Sequence, residues 1–569
     1  MAEILMGPQP LQTHLAQNVL IYDTTLRDGI QRHGISCTLE DKIKILNRLT
    51  QLGIPFIEGG WPGANTIDTQ LFEYLQKEPL KEPLADTQVV AFGSTRRPHQ
   101  TASESPTLQA LLAANTQWLT IFGKSWDLHV TDALKVELDE NLAMIQDSVE
   151  FLRARGRHVI YDAEHWFDGY KANPAYALKT LEAAVLGGAD WLVLCDTNGG
   201  TLPKEIEAIV TDVQVWLQTH HSDLAELPQI GIHTHNDSGT AVASALSAID
   251  AGARMVHGTI NGYGERCGNA DLCSVIPDLQ LKMGYDCLPS QQLKTLAETS
   301  RFVSEIVNLA ADDHAPYVGR SAFAHKGGIH ISAVERNPKT YEHVEPSAVG
   351  NNRHIVVSSS SGVSTVLSKA KSYNIDLKKE DPITRKIINR VKELEGKGYQ
   401  FEAAEASFEL LMRTELGLHQ SMFQLRGFEV SYNVIQSDVQ CNVGARAMIK
   451  AVVKGQEVLE VAEGMGPVAA LDNALHKALV RFFPAVETFY LTDYKVRILN
   501  SEAGTAAKVR VLVESSDGEQ RWSTIGVSVN ILEASYQAVA AGIEYGLYRA
   551  TTAKPRSTVR KTFESCTQS

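Results

Sequence analysis

The sequence predicts an α/β fold: a (β/α)8 TIM barrel, then a helical linker region, then a C-terminal α+β domain built as (βββα)2. Between residues 18 and 285, eight short apolar, β-branched runs alternate with amphipathic stretches. Eight strand-then-helix units fit a barrel better than an open doubly wound sheet, which usually has fewer strands. The chain has 569 residues, several times the roughly 150 residues of a typical domain, so further domains are expected.

The barrel strands are predicted from runs such as "VLIYD" and "WLVLCDT". They are 19–23, 55–59, 89–94, 118–123, 158–164, 191–197, 230–235 and 255–261. Helical patterns lie between them, at 40–52, 136–155, 173–188, 203–219 and 238–252. Thr38, Pro203 and Asp237 are residues that favour a helix start. In a barrel of this kind the active site lies where the strands end, so the residues that follow each strand are the candidates for chemistry.

Residues 286–424 have mostly helical patterns, and we expect linker subdomains that contribute to the active site. The serine run 358–361 is predicted to be a linker or a helix N-cap rather than a catalytic serine. Residues 425–550 contain three strand patterns and a helix, twice over. This repeat concentrates no titratable cluster, which favours ligand binding or dimerisation over catalysis. The tail, 551–569, is predicted to be disordered.

Composition excludes several classes of protein. The net charge is −14, from 53 basic and 67 acidic residues, and such a surface repels the phosphate backbone of nucleic acid. Seven cysteines without a CxxC pair indicate neither a disulfide framework nor a thiolate zinc site. The first Lys or Arg is Arg27 and no apolar run reaches about 18 residues. We therefore expect a soluble, cytoplasmic protein with no membrane or nucleic-acid partner.

Two histidines and an aspartate predict a metal site. His233 and His235 are two residues apart on the seventh strand, so both imidazoles face the same side. Asp28, next to Arg27, follows the first strand at the same rim. A His-x-His pair alone is more often an accident, but its position at a strand end opposite an acidic loop favours metal. One Asp and two His form a common ligand set for a divalent cation with open positions, and Mg, Mn, Co or Zn would fit.

The loop after the eighth strand, "NGYGERCGNAD", has three open interpretations. Its glycines suit a phosphate cradle, because barrels often bind phosphate there. Alternatively, Asn269 is a helix N-cap in a tight turn, or its amide oxygen faces the metal. Glu164, after the fifth strand, is a candidate acid or base, and Thr197, after the sixth, a candidate hydrogen-bond donor. His325 and His330 lie beyond the barrel and on the residues alone would be structural.

Four motifs together resemble a known family. "DTTLRDGIQ", "HTHND", "GYGERCGN" and "FAHKGGIH", in this order, are similar to those of the metal-dependent acyltransferases that condense acetyl-CoA with a 2-oxo acid: the 2-isopropylmalate, homocitrate and citramalate synthases. The resemblance covers nearly the whole chain. "EGGWPGAN", "GKSWDLHV" and "DAEHWFDGYKANP" most resemble the members that use pyruvate.

The resemblance implies roles for individual residues. Asp28, His233 and His235 would hold the metal, with Asn269 as a weaker or water-mediated ligand. Arg27 would stabilise oxyanion charge, Thr197 would bind the 2-oxo acid carboxylate, Glu164 and His330 would transfer protons, and Tyr341 would lie near the reacting groups. The terminal repeat resembles the family's dimer-forming regulatory domain. It therefore implies a homodimer and an amino-acid effector, with isoleucine expected if citramalate is the product.

Other functions remain as alternatives. The same chemistry with 2-ketoisovalerate or 2-oxoglutarate would give 2-isopropylmalate or homocitrate synthase, and pocket shape decides between them. A related barrel runs lyase or carboxyl-transfer reactions, but the terminal repeat argues against that class. A non-catalytic amino-acid sensor is disfavoured because a relic has no reason to keep Asp28, His233, His235, Glu164 and His330 together.

Overall fold

The computed structural model describes residues 18–80, 87–357, 362–435 and 442–552. The chain divides into two compact units. One comprises residues up to Phe323 together with Glu342–Arg353, and the other comprises Ala324–Tyr341 and the residues from His354 onward. Among the described residues, no helix combines the length and the apolar character needed to cross a membrane.

The first unit contains a closed barrel of eight parallel strands, in which each strand pairs with its neighbours in chain order and the eighth pairs with the first. The predicted barrel is therefore confirmed. Its strands are β1 (Leu20–Asp23), β2 (Phe56–Gly60), β3 (Gln88–Ser94), β4 (Trp118–Lys124), β5 (His158–Glu164), β6 (Trp191–Asp196), β7 (Gln229–Thr234) and β8 (Met255–Gly258).

Helices connect these strands and extend the unit beyond the barrel. They are α1 (Leu39–Leu52), α2 (Thr66–Lys77), α3 (Pro106–Ala113), α4 (Leu138–Arg153), α5 (Trp166–Ala172), α6 (Pro174–Gly187), α7 (Pro203–His220), α8 (Ala241–Asp250), α9 (Leu272–Pro277), α10 (Ser290–Leu293) and α11 (Leu296–Ile306). Leu293 and Leu296, at the start of the region predicted as a linker, are buried in the same apolar core as the barrel helices.

Local signals explain where several helices begin. Thr38 accepts a hydrogen bond from the backbone N–H of Asp41, whose side chain accepts one in return, so α1 begins with a capping box. Pro203 is the first residue of α7. The expectation that Asp237 starts the next helix is wrong. Asn236 instead accepts from the N–H of Ala241, where α8 begins, and Asp237 is bound to Arg266.

The barrel strands alternate between two environments. Outward residues such as Ile21 and Ile57 pack against the helices, whereas Tyr22, Phe56 and Ile160 belong to a separate apolar cluster inside the barrel. This period of two is the geometry of a strand. The next inward position on four of these strands, two residues further along the chain, is polar and buried. These positions are Glu58 after Phe56, Asp162 after Ile160, His233 after Gly231 and His257 after Met255. The interior thus changes from apolar to polar toward the C-terminal ends of the strands.

The second unit contains the linker helices and the terminal repeat. Its first elements are β9 (Ala324–His325), α12 (Gly328–Arg336), β10 (His354–Ile355), α13 (Val363–Ser372), α14 (Pro382–Gly396) and α15 (Glu405–Glu415). Two three-stranded antiparallel sheets follow, each with its helix, as predicted. They are β11 (Phe423–Ile435), β12 (Asn442–Val453), β13 (Gln456–Gly464) and α16 (Pro467–Leu479), then β14 (Tyr490–Ile498), β15 (Val509–Ser516), β16 (Arg521–Ser528) and α17 (Ile531–Thr552).

One apolar core joins the two halves of the repeat. Leu471 and Leu475 of α16 and Ile543 of α17 are buried in the same cluster. The serine run 358–361 lies outside the described residues. The same holds for 553–569 of the predicted tail, whose first two residues end α17.

A buried ion pair fixes the loop between β2 and α2, on the mouth side of the barrel. Lys42 of α1 is fully buried, and its ammonium group donates to the carbonyl of Gly59 (3.2 Å) and to the carboxylate of Asp68. The second oxygen of Asp68 accepts from the N–H of Trp61 at 2.8 Å. Gly60 has φ +145°, and a Cβ there would lie 2.4 Å from the Asp68 carboxyl carbon, so only glycine fits.

We predict that Asp68→Ala lowers the free energy of unfolding of the barrel by about 3–5 kcal/mol, because it leaves the Lys42 charge buried without a partner. Urea unfolding followed by tryptophan fluorescence measures the change. Glu40→Ala is the matched control, since it breaks an ion pair with Lys44 on the exposed face of the same helix, and it should leave the midpoint unchanged. Equal midpoints for Asp68→Ala and the wild type would contradict the prediction.

Candidate active site

Three metal-ligating side chains converge at the mouth of the barrel. Asp28 lies in the loop after β1, His233 lies on β7 and His235 directly follows it. One ligand atom from each lies within 4.8 Å of the other two. The Nε2 atom of His233 is 3.9 Å from Oδ2 of Asp28, and the two imidazole rings stack with centroids 5.2 Å apart. All three residues are buried.

Asn269 joins two of these side chains. Its amide Nδ2 donates to Oδ1 of Asp28 at 3.0 Å, and its Oδ1 lies 2.8 Å from Nε2 of His233. The helix N-cap interpretation is wrong, because α9 begins at Leu272 and Asp271 is its cap. Gly264 has φ +149°, and a Cβ there would lie 2.2 Å from the Asn269 amide nitrogen. At least this glycine of the loop is thus required by close packing around Asn269.

The surroundings hold these ligands in their metal-binding protonation states. Burial would raise the pKa of Asp28, but Arg27 and the two histidines lower it to about 2. Burial lowers the pKa of His235 to about 4, and it also lowers the pKa of His233. At neutral pH the group therefore has one carboxylate and two neutral imidazoles, which are the forms that bind a cation.

The donor set fits a divalent metal ion. The Nδ1 atoms of His233 and His235 are buried and have no hydrogen-bond partner among the described residues. A carboxylate oxygen and imidazole nitrogens suit Mg, Mn, Co or Zn, and three protein ligands leave positions free for a substrate.

Glu58 of β2 organises the other side of the mouth. Its carboxylate is fully buried and accepts from Arg27 Nε (2.6 Å), from the Tyr22 hydroxyl (2.9 Å) and from Thr24. The Arg27 Nη1 group donates to Asp28 at 2.9 Å. The guanidinium carbon also lies 3.9 Å from the centroid of the Phe92 ring. Arg27 is thus fixed between two carboxylates and an aromatic face, beside the metal ligands.

Two further predicted residues lie at strand ends on the rim. Glu164 is the last residue of β5, and its carboxylate accepts from Lys124, the last residue of β4. Thr197 follows β6, and its hydroxyl oxygen accepts from the backbone N–H of His165 at 2.9 Å. The hydroxyl hydrogen of Thr197 therefore remains available for donation to a ligand.

His330 and Tyr341 belong to the second unit, whereas the metal ligands belong to the first. His330 lies on α12, and its ring stacks on the ring of Tyr341 with centroids 4.1 Å apart. Both side chains are exposed within their unit. His325, the other histidine of the same motif, is buried.

Sequence reasoning missed the buried polar layer below the rim. Glu58, Asp162 and His257 are 0, 3 and 0 % exposed, yet none was selected as a site residue. Burial raises the pKa of Asp162 well above its ordinary value and lowers that of His257 far below. These residues could have been found as charged or titratable residues within predicted strands that are otherwise apolar, such as the glutamate in "PFIEG". Such a residue in a barrel strand is expected to be buried, and burying a polar group without a partner is costly.

Family models match three successive segments of the chain. Residues 18–303 match the HMGL-like model, 317–398 match the homocitrate synthase post-HMGL domain-like model, and 402–547 match the LeuA allosteric (dimerisation) domain.

Curated relatives match over most of their length. An (R)-citramalate synthase of Synechocystis is 61% identical over 93% of this chain and 96% of the relative. One of Aquifex aeolicus is 51% identical over 94% of this chain and 99% of the relative. A 2-isopropylmalate synthase of Sulfurisphaera tokodaii is 32% identical over 67% of this chain and 92% of the relative.

We predict that His235→Ala weakens Mn²⁺ binding at least about tenfold, because it removes one of three protein ligands. Isothermal titration of the wild type and the variant with Mn²⁺ measures the affinity. His220→Ala, which changes an exposed histidine at the end of α7, is the control and should bind Mn²⁺ as the wild type does. Unchanged affinity in His235→Ala would mean that the ion is bound elsewhere.

Proposed function

Because this chain belongs to the (R)-citramalate synthase family, we propose that it condenses acetyl-CoA with pyruvate and water to give (R)-citramalate and CoA, a step toward isoleucine. The single observation that carries the proposal beyond family membership is the cluster of Asp28, His233 and His235 beside Arg27. This cluster joins a cation site to a fixed positive side chain, and a condensation between a ketone and an enolate needs both.

Asp28, His233 and His235, assisted by Asn269, would hold the cation. When bound there, a divalent cation supplies Lewis-acid polarisation of the 2-oxo acid. Thr197 donates its hydroxyl hydrogen to the carboxylate of that acid. Arg27, held by Glu58, provides a preorganised positive charge for the enolate oxygen of the acetyl thioester, and the buried site strengthens this interaction.

Proton transfer requires a base for the acetyl methyl group and an acid for the new alkoxide. We assign these roles to Glu164 and His330, with Tyr341 beside His330. Glu164 accepts a hydrogen bond from Lys124, and this contact orients the carboxylate. His330 stacks on Tyr341, which orients the imidazole. Hydrolysis of the resulting thioester releases CoA and makes the overall reaction irreversible.

Aromatic side chains beside Arg27 support a small 2-oxo acid. Phe92 and Phe122 stack at 5.5 Å, and Trp61 meets both rings edge-on, at 5.7 and 5.5 Å. These rings form an apolar wall beside Arg27. An apolar wall suits the methyl group of pyruvate and disfavours the charged side chain of 2-oxoglutarate. The similarity to the (R)-citramalate synthases among the relatives favours pyruvate over 2-ketoisovalerate, the acceptor of 2-isopropylmalate synthase.

We predict that kcat/KM for pyruvate exceeds that for 2-ketoisovalerate by about 10–200-fold, the discrimination that a tight apolar pocket gives against extra methyl groups. A CoA-release assay with pyruvate, 2-ketoisovalerate and 2-oxoglutarate measures the ratio. A preference for either larger acid would replace the proposal with the corresponding synthase. No CoA release with any of the three acids, with Mg²⁺ or Mn²⁺ present, would favour the non-catalytic sensor.

We further propose that residues 402–547 form a homodimer and bind a branched-chain amino acid, with isoleucine as the effector. Several apolar side chains of β14 are exposed in the isolated chain, among them Val496 and Ile498, and a second copy would cover them. The helix N-termini of the repeat differ. Asn530 caps the first turn of α17, whereas α16 follows Gly466 without a side-chain cap. The N-terminus of α16 therefore has free N–H groups for the effector carboxylate.

We predict that isoleucine inhibits the full-length enzyme, and that Gly466→Asp raises the isoleucine concentration for half-inhibition at least about fivefold, because the new carboxylate competes with that of the effector. A Cβ at Gly466 meets no atom within 4 Å, so the variant should fold. Asn530→Asp, which keeps a cap on α17, is the control. Indifference of the wild type to isoleucine, leucine and valine would leave the domain as a dimerisation element.

A further inference from the structure

We propose that the barrel interior holds a second metal site, formed by Asp162, Cys195 and His233, that takes a thiophilic divalent cation such as Cd²⁺ and thereby inhibits the enzyme. The three residues lie on consecutive strands, β5, β6 and β7. One ligand atom from each lies within 4.8 Å of the other two. Cys195 and His233 are direct neighbours across the β6–β7 ladder, so their side chains point to the same side of the barrel wall.

The cluster contains buried polar atoms that have no hydrogen-bond partner among the described residues and could bind a cation. Asp162, Cys195 and His233 are 3, 6 and 4 % exposed. Oδ1 of Asp162 and Nδ1 of His233 have no hydrogen-bond partner among the described residues. His257, stacked on Tyr22 at 3.8 Å, likewise has no partner for either ring nitrogen in the described part of the chain, and its Nδ1 lies 4.0 Å from Oδ1 of Asp162. Buried polar atoms in native proteins usually have partners, and a cation would supply one.

Charge and ligand softness define the cation. A thiolate and a carboxylate balance the two charges of a divalent ion, so the occupied site is neutral inside the barrel, where a net charge would be strongly disfavoured. On binding, the thiol of Cys195 and the protonated carboxyl of Asp162 release their protons to solvent. A thiolate prefers Zn²⁺ and softer ions to Mg²⁺, whereas Asp28, His233 and His235 offer no sulfur. Mg²⁺ should therefore prefer the set Asp28, His233 and His235, whereas Cd²⁺ should prefer the set Asp162, Cys195 and His233.

His233 belongs both to the cluster with Asp28 and His235 and to the cluster with Asp162 and Cys195. The two sites therefore cannot be occupied at the same time. A neutral imidazole has one nitrogen with a free lone pair, because the other carries the proton. His233 therefore serves one ion at a time. When His233 binds an ion together with Asp162 and Cys195, it is no longer available to the site at the barrel mouth. Asp28 and His235 alone are then too few protein ligands to hold a cation there. Inhibition by a soft metal follows directly from this shared residue.

The test is a Cd²⁺ titration of the full-length protein in excess Mg²⁺, with the ultraviolet charge-transfer absorbance of the Cd–thiolate bond as the readout. We expect one equivalent of this band in the wild type that is missing from Cys195→Ala. Cys267→Ala, which removes the exposed cysteine of the loop after β8, is the matched control and should keep it. Asp162→Asn keeps the thiol and should weaken Cd²⁺ binding at least about tenfold.

Activity is measured in parallel. The inhibition part of this inference rests on the proposed function, whereas the absorbance does not. Cys195→Ala should keep its Mg²⁺-supported turnover and resist Cd²⁺ by at least about tenfold, while Cys267→Ala should be inhibited as the wild type is. If circular dichroism shows that Cys195→Ala does not fold, the Cd²⁺ affinity of Asp162→Asn tests the site instead.

Each outcome has a distinct meaning. Equal Cd–thiolate bands in the wild type and Cys195→Ala, or unchanged binding in Asp162→Asn, would overturn the site. A Cys195-dependent band without inhibition would overturn the competition for His233. A Cys195-dependent band in a protein that releases no CoA from any 2-oxo acid would uphold the inner site and reject the proposed function.

Discussion

The buried ion pair between Glu58 and Arg27 is the interaction on which the rest of the barrel mouth depends. Glu58 is fully buried, and Arg27 is its cationic partner at 2.6 Å. A buried carboxylate without such a partner would be strongly destabilising. Arg27 in turn contacts Asp28 at 2.9 Å, Asp28 is bound by Asn269, and Asn269 lies 2.8 Å from His233. Contacts between neighbours thus connect an inward carboxylate of β2 with a histidine of β7, across the mouth of the barrel.

The interior of the barrel consists of an apolar layer that stabilises the fold and a polar layer that carries the candidate site residues. Its lower interior is apolar, with Phe56, Ile160 and Val193, whereas the layer nearer the C-terminal ends of the strands is polar. A titratable group in that layer is desolvated, so burial and neighbouring charges shift its pKa. Asp28 has a low pKa, and the pKa values of His233 and His235 are lowered, so at neutral pH the three side chains have the forms that can bind a cation. The polar layer is unfavourable for folding, and the apolar layer, the surrounding helix core and pairs such as Lys42 with Asp68 provide the compensating stability.

The fold and the convergence of Asp28, His233 and His235 could be predicted from sequence because both depend on short-range patterns. Eight apolar runs at regular spacing specify the barrel, and two histidines separated by one residue on a strand must share a side. Glu58, Asp162 and Cys195 could not be identified in this way, because their importance depends on which strands become neighbours. Asn269 shows the same limit, since its spacing allowed three interpretations. The start of α9 rules out the helix N-cap, and the contacts of Asn269 with Asp28 and His233 join residues far apart in the sequence. Asp237 was misassigned because its partner, Arg266, lies on a different loop.

We infer that Glu58 positions Arg27 for catalysis and is not itself a ligand of the proposed metal ion. Glu58→Gln keeps the shape of the side chain but removes its charge, so Arg27 loses one of its two carboxylate partners. We predict that kcat falls about 100-fold, since a small displacement of a catalytic group has an effect of this size, whereas Mn²⁺ affinity falls by no more than about tenfold, because Asp28, His233 and His235 all keep their side chains. Glu265→Gln, which changes an exposed glutamate in the loop after β8, should have wild-type kinetics. An unchanged kcat in Glu58→Gln, or a loss of Mn²⁺ affinity as large as the loss of kcat, would rule out this role for Glu58.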